Sequence, residues 1–101
     1  DFAEKLRTHG QCDAALPYYY KVLALTPQQS GPRASEIACL VYLGDYAKAS
    51  SEALLGGSYG IQNGTFSMYR HIADSARAAN APPKTVTLPA PLDTVPVTIR
   101  P

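Results

Sequence analysis

The chain has 101 residues, 46% of them hydrophobic and 17% charged, with a formal net charge of +1 at pH 7. This length predicts one domain with a modest core, and the near-neutral charge gives no indication of nucleic acid or an anionic membrane as a partner. No apolar run approaches the roughly 18–20 residues that cross a bilayer, so we expect a protein that is not membrane-spanning. Scarce charge together with seven tyrosines favours a surface partly covered by another protein. Because the sequence begins at Asp1 and not at Met, we expect a processed protein or a fragment.

The first two predicted helices meet at Gly10. Apolar spacing predicts the end of a helix over residues 2 to 8, which Gly10 closes as a C-terminal glycine. We expect Asp13 to cap a second helix to about Leu25, with Pro17 in its first turn, where a missing N–H costs little. The apolar set of this second helix is Ala15, Leu16, Tyr19, Val22, Leu23 and Leu25.

The third and fourth predicted helices meet at Gly44. The third opens at Ser30-Gly31-Pro32 with proline near the first position. The fourth runs from Tyr46 to about Leu55, where Gly56-Gly57 is expected to end it. The buried stripe expected on the third helix is Ala34, Ile37, Ala38, Leu40 and Val41.

The last helix and the tail differ sharply in composition. Thr65 is expected to cap a fifth helix to about Ala79, which Asn80 and two prolines stop. Residues 81–101 hold six of the nine prolines, which forbids helix and favours extended conformations. Within this tail, 85–88 and 95–99 are predicted as short edge strands. We therefore expect a helical domain over 1–80 and an extended proline-rich arm over 81–101.

A 34-residue period is the main sign of architecture. Gly10 and Gly44 are 34 residues apart, and so are Ala15 and Ala49. A turn glycine and a small helix residue in fixed register are typical of helical repeats, in which each hairpin leaves an apolar face for its neighbour. The period predicts an all-α chain.

Residues 1 to 57 resemble the tetratricopeptide (TPR) repeat. The residues that carry the resemblance in the first copy are Gly10, Asp13, Ala15, Leu16, Tyr18, Tyr19, Lys21, Leu23, Leu25 and Pro27; those in the second are Gly44, Asp45, Tyr46 and Ala49. The resemblance implies antiparallel hairpins of a right-handed solenoid, with a capping helix over 65–79. It also implies a non-catalytic protein whose groove, lined by the first helix of each pair, grips a peptide or helix.

The same resemblance implies which residues line that groove. They are Glu4, Arg7 and Thr8 from the first pair and Ala34, Ala38, Val41 and Tyr42 from the second. The alanines stand where the chaperone-binding subgroup has lysine and asparagine, so a clamp for a terminal carboxylate is disfavoured. A small apolar floor suits an extended apolar segment or a helix. The alternative is that Val41 and Tyr42 simply pack against the fifth helix.

Other chemical patterns give little indication of a site. Gly56-Gly57-Ser58-Tyr59-Gly60 matches the spacing of a nucleophile elbow, but that motif needs a strand before it and a histidine after it. No grouping has metal-ligand spacing, so neither metal nor cofactor is expected. An antiparallel alignment puts Cys12 and Cys39 about two turns apart, too far for easy bridging, so we expect two structural thiols. Within the run 18–20, Tyr20 is expected to be exposed as an interface anchor.

Two hypotheses follow for the function. The first is a non-catalytic scaffold subunit of a larger complex, anchored to its protein partner by the arm, with Val95, Val97 and Ile99 as plugs. Helical repeats with such tails are frequent in bacterial envelope accessory subunits, which favours that setting by analogy alone. The alternative is a stand-alone peptide-binding module whose arm folds back and gates its groove.

Overall fold

A computed structural model describes residues 2–59 and 63–89 of the chain. Five helices account for most of these residues: α1 (Phe2–Thr8), α2 (Cys12–Leu25), α3 (Ser30–Leu43), α4 (Tyr46–Ser58) and α5 (Asn63–Ala78). Neither described range contains a strand, so the predicted all-α class is confirmed. None of the five helices combines the length and the hydropathy needed to cross a membrane.

The helices pack in chain order. Each contacts the next, and α3 also contacts α1 and α5, so these three are neighbours along one side of the molecule. The connections between helices are two to four residues long, which returns the chain on itself and makes successive helices antiparallel.

Three helices end in the same backbone conformation. Gly10, Gly44 and Asn80 follow α1, α3 and α5 with φ of 78°, 87° and 53°, all in the left-handed region. At Gly44 its own N–H donates to the Val41 carbonyl (3.1 Å), and the next N–H donates back to Leu40 (2.9 Å). The same pair of bonds recurs after Gly10 and Asn80, which is the Schellman arrangement. The expected helix ends at all three positions are therefore confirmed.

The 34-residue step also recurs in burial. Ala15 and Ala49 are both fully buried, as the period predicts for small residues at close helix contacts. The pairs at the same step, Cys12 with Tyr46 and Tyr19 with Ala53, are buried too. The first four helices thus share a repeated pattern of caps and buried positions.

The start of α2 differs from the prediction. The helix begins at Cys12 and has no side-chain cap, because the Asp13 carboxylate accepts a hydrogen bond only from the adjacent Ala14 N–H (2.9 Å). Pro17 is the sixth helical residue and therefore lies beyond the first turn. Because proline has no N–H, one helix carbonyl is left without its usual donor. Pro17 is exposed, so this carbonyl faces water. Val22 and Leu25, expected in the buried set, are exposed.

The end of α4 and the start of α5 also differ from the prediction. Gly56-Gly57 does not break α4, which continues to Ser58. Gly56 is buried, and a Cβ atom there would lie 3.0 Å from the Phe66 ring. The glycine allows α5 to approach α4 closely, which offsets its low helix propensity. Thr65 does not cap α5, since it is a fully buried residue within that helix.

Two apolar clusters form the interior. The α3–α5 core consists of Ala34, Ile37, Leu40, Val41, Tyr46, Ala49, Ala53, Phe66, Tyr69, Ala73 and Ala76. The α1–α2 core is smaller and consists of Ala3, Cys12, Ala15, Tyr19 and Cys39. Residues of α3 enter both clusters, so this helix joins the two parts of the fold.

Candidate protein-binding groove

Residues 81–89, here the proximal arm, dock onto the helices of their own chain. The Tyr46 hydroxyl donates to the Ala81 carbonyl (3.0 Å), and the backbone N–H of Lys84 donates to the Tyr42 carbonyl at the end of α3 (2.7 Å). Farther along, the Tyr69 hydroxyl donates to the Pro89 carbonyl (2.9 Å). These bonds hold both ends of the proximal arm against α3, α4 and α5.

Apolar contacts complete this docking. Val86 and Leu88 pack against the α3–α5 core, and Pro83 lies over Gly44, where a Cβ atom would be 3.0 Å from the proline ring. The edge strand predicted over 85–88 is wrong: no strand lies beside it, and the neighbouring backbone bond runs to the end of a helix.

A cavity of about 280 Å³ lies between the proximal arm and the ends of the first three helices. We call this cavity, with helix ends on one side and the arm on the other, the groove. Its lining is Arg7, Thr8, Gly10, Cys12, Ala38, Tyr42, Thr87 and Leu88. Four residues named from the sequence for the groove, Arg7, Thr8, Ala38 and Tyr42, therefore meet in one place, and two residues of the arm form the opposite wall.

Two other residues named from the sequence are not part of this surface. Val41 is fully buried and Ala34 almost so, both inside the α3–α5 core, and they present no binding surface. The helical stripe that packs α3 on α4 and α5 includes both positions. Val95, Val97 and Ile99 lie outside the described residues.

Arg7, on the wall of the groove, belongs to a connected polar cluster with Glu4 of α1 and Tyr19 of α2. Arg7 and Glu4 form an ion pair of 2.7 Å, and the Tyr19 hydroxyl donates to the same carboxylate. The hydrogen bond from Arg7 lowers the pKa of Glu4 to about 2, so this carboxylate is ionised at neutral pH. Glu4 in turn raises the pKa of Arg7. The guanidinium charge is thus largely neutralised from within, and the groove carries little net charge.

Tyr69 holds the end of the proximal arm, a role that sequence reasoning missed because it placed this residue only in the core. Burial raises the pKa of its hydroxyl, and the nearby Arg7 charge opposes that rise. The hydroxyl is therefore protonated at neutral pH and available as the donor that fixes Pro89. The signal in the sequence was a phenol on an otherwise apolar helix face, since a buried Tyr usually has a hydrogen-bond partner.

Tyr20 lies on a different surface. It is exposed, as predicted, and Lys48 donates to its hydroxyl (3.0 Å) with the ammonium 4.6 Å from the ring centroid. Tyr18 is exposed as well and meets Phe2 edge-on at 5.2 Å. Tyr20 is therefore remote from the groove and already has a partner within the chain.

A second, more open pocket of about 730 Å³ lies where α1 leaves α2 and the start of α3 uncovered. Phe2 is 60% exposed and Leu25 is 85% exposed on this side of the molecule. The pocket lining is Phe2, Ala3, Glu4, Tyr18, Tyr19, Lys21, Val22, Gln29, Gly31, Pro32 and Ser35. Glu4, named from the sequence for the groove, faces this pocket.

A buried ionic cluster was missed by the sequence reasoning. Arg33 bonds to Glu52 (2.7 Å) and to the Pro27 carbonyl (2.7 Å), and it lies 3.9 Å from Glu36. Burial, together with a hydrogen bond to Glu52, raises the pKa of Glu36 to about 8. The sequence signal was helical spacing. Arg33 stands four residues before Ile37 and Glu36 stands four residues before Leu40, so both charged residues share the buried side of α3.

The remaining chemical candidates occupy structural positions. Gly56, Gly57 and Ser58 lie within α4, where the Ser58 hydroxyl donates to the Leu55 carbonyl (2.6 Å), so Ser58 does not follow a strand. His9 donates from Nδ1 to the Lys5 carbonyl (2.7 Å), as expected for an imidazole at a helix end. Across residues 2–59 and 63–89, no three or more His, Cys, Asp or Glu side chains are grouped to hold a metal ion.

Comparisons with known proteins give this chain no family. Models of known families do not match it, and searches of curated proteins and of solved structures returned no match either. The TPR resemblance therefore stays a prediction, and the repeated caps and buried positions are compatible with it.

Proposed function

We propose that this chain is a non-catalytic protein-interaction module that binds an extended, apolar peptide segment in the groove. The proximal arm forms one wall of the groove, packs on the helix surface that the ligand would use, and competes with the ligand for it. This is the gated peptide-binding hypothesis, with the TPR-like repeat as its proposed architecture.

The observation that carries the proposal is the docking of the proximal arm. The arm turns at residues 83–84, where Lys84 has a φ of 68°, and lies against α3, α4 and α5, held at Tyr46 and Tyr69 by hydroxyl donors and at Tyr42 by a carbonyl acceptor. These groups contact the backbone of the arm, so they do not depend on its side chains. The side chains Val86 and Leu88 fill the apolar positions between them.

The chemistry of the groove defines the class of ligand. Ala38 gives a small floor, and Tyr42 and Arg7 border it. Because Glu4 neutralises Arg7, the groove lacks the free cations that recognise a carboxylate or a phosphate. The ligand we propose is an uncharged stretch with aliphatic residues at alternate positions, like Val86 and Leu88 of the arm itself.

A second candidate is a scaffold subunit of a larger complex, with residues 90–101 reaching a partner. The observation that favours it is the exposed apolar surface beside the second pocket, where Phe2, Tyr18, Val22 and Leu25 face solvent. Exposed apolar side chains grouped in this way are typical of protein interfaces. An envelope complex is one setting for it, by analogy alone.

The test measures binding in trans of a fluorescent peptide with the sequence of residues 81–101. Three full-length proteins are compared by fluorescence anisotropy: wild type, the double variant Val86→Ser with Leu88→Ser, and that variant with Ala38→Arg added. Since the native arm packs on the helix surface that the peptide would use, we expect the double variant to bind the peptide about 10-fold or more tightly than wild type. Ala38→Arg should abolish that binding, because the large cation fills the floor.

Leu54→Ser is the matched control, because Leu54 is an exposed aliphatic residue on α4, outside the arm. It should bind as weakly as wild type. Equal affinity of wild type and the double variant would refute gating by the arm. Persistent binding after Ala38→Arg would show that the groove is not the site. If wild type instead forms a stable oligomer through the exposed apolar surface beside the second pocket, the scaffold-subunit function is favoured.

A further inference from the structure

Two thiols lie together under the groove. Cys12 begins α2 and Cys39 lies on α3; both are free and buried in the α1–α2 core. Their side chains interact with each other, which the axial alignment of two helices did not predict. That alignment assumed simple antiparallel register, and the packed helices depart from it.

The two cysteines differ in access. Cys12 forms part of the groove wall, beside Thr8 and opposite the arm residues Thr87 and Leu88. Cys39 is fully buried behind it and does not line the groove. A small reagent that enters the groove therefore meets Cys12 and not Cys39 at its wall.

The surroundings make both thiols slow to react in the closed form. Burial raises the pKa of Cys12 and of Cys39, so little thiolate is present at neutral pH. The arm residues narrow the approach to Cys12. Reaction is expected to speed up when the pH rises or when Leu88 leaves the groove.

We propose that Cys12 and Cys39 form a reversible dithiol–disulfide pair that a small-molecule disulfide oxidises through the groove. The Cys12 thiolate attacks one sulfur of the reagent, the reagent's S–S bond breaks, and one small thiol leaves after taking up a proton. The Cys39 thiolate then attacks the Cys12 sulfur and releases the second small thiol. The protein loses two protons and two electrons, and the reagent gains them as its disulfide becomes two thiols.

The product would link α2 to α3 across 27 positions of sequence. Such a link lowers the entropy of the unfolded chain and fixes the groove floor. The inference rests on the position of the thiols and the groove, and it holds whether or not a peptide binds there.

The experiment treats the full reduced chain with oxidised glutathione at about pH 8.5, where more thiolate is present than at neutral pH. Intact mass under denaturing conditions should show a monomer lighter by two hydrogens, with no glutathione attached. Thermal unfolding should shift upward on the order of 10 °C, and dithiothreitol should reverse both changes. A persistent glutathione adduct on the wild-type chain, or a disulfide-linked dimer, would overturn the proposal.

Single variants separate the two steps. Cys39→Ala should accumulate one glutathione adduct on Cys12, whereas Cys12→Ala should stay unmodified because Cys39 is out of reach. Rapid modification of Cys12→Ala would contradict the order of attack. Leu88→Ala should raise the oxidation rate about 10-fold by loosening the arm, with Leu54→Ala as the matched control at wild-type rate. An unchanged rate for Leu88→Ala would show that the arm does not guard the thiols.

Discussion

The two apolar cores of this small fold differ in kind. The α3–α5 core contains Ile37, Leu40, Phe66 and Tyr69, large side chains that interlock between three helices. The α1–α2 core contains only one large side chain, Tyr19, and its other four residues are small: Ala3, Cys12, Ala15 and Cys39. One part of the molecule therefore buries far more apolar surface per helix than the other.

The difference means that the part of the fold expected to be most stable is not the part that carries the candidate binding surfaces. Local unfolding begins where few apolar contacts hold a segment, so we expect α1 and the start of α2 to open more easily than α4 and α5. The groove, the exposed Phe2 and the two thiols all lie at that weaker end. The tightly packed end supplies the platform on which the proximal arm docks.

The sharpest test of this comparison is Phe66→Ala. Phe66 is almost completely buried between α4 and α5, so the cavity should lower the free energy of unfolding by about 3–5 kcal/mol. Phe2→Ala at the other end should cost less than about 1 kcal/mol, because most of that ring is exposed. Urea denaturation followed by circular dichroism measures both. Equal losses in the free energy of unfolding would mean that the two cores contribute equally to stability.

The buried ionic cluster should make the α3–α4 contact depend on pH. Burial, with the neighbouring Glu52, raises the pKa of Glu36 from 4.5 to about 8, so the folded state retains a proton that the unfolded state releases. Stability should therefore fall as pH rises between about 4.5 and 8, by roughly 1–3 kcal/mol. Glu36→Gln should flatten this slope in urea titrations at several pH values. Asp74→Asn, on an exposed ion pair, should leave the slope unchanged.

Gly44→Ala tests the cap that joins the core to the arm. At φ of 87° an added Cβ atom is strained, and it would also press on Pro83 at 3.0 Å. We expect a loss of about 1–2 kcal/mol by thermal denaturation. Gly31→Ala, on α3 with no atom within 4 Å of the new Cβ, should change stability by less than about 0.5 kcal/mol. A neutral result at Gly44 would show that the arm does not need this cap.

The smallest effect on stability is expected at Glu4 of α1, at the end of the molecule with the smaller core. Its pKa is lowered from 4.5 to about 2, so the contribution is present above pH 4.5 and is lost as the pH falls towards 2. Because the side chain is 38% exposed, solvent screening limits this contribution to about 1 kcal/mol or less. Glu4→Gln should lower stability slightly at pH 7 and leave it unchanged near pH 2. A larger loss at pH 7 would mean that the α1 cluster stabilises the fold more than its exposure suggests.

Sequence reasoning succeeded where a single residue determines the backbone. Gly10, Gly44 and Asn80 ended their helices as predicted, because left-handed φ values select these residue types. The all-α class followed from the 34-residue period, and four residues named for one surface, Arg7, Thr8, Ala38 and Tyr42, line one cavity. These features depend on local conformation or on a regular repeat.

Sequence reasoning failed where tertiary contacts outweigh the local conformational preference of a residue. Gly56 is a poor helix residue, but the approach of Phe66 needs the missing side chain. The meeting of Cys12 with Cys39, and of Arg33 with Glu52, depends on how two helices cross, which sequence spacing along one helix does not contain. The docking of the arm on its own helices depends on single hydroxyl donors such as Tyr69.

The docking of the proximal arm has a consequence for how the chain folds. Most helix contacts join consecutive elements, so little loop entropy is lost in forming them, and rapid folding of the helices is expected. The bond from Tyr46 to Ala81 instead spans 35 residues and requires α5 to be in place. The arm is therefore expected to settle last. In the interval before it does, a newly made chain presents its groove uncovered.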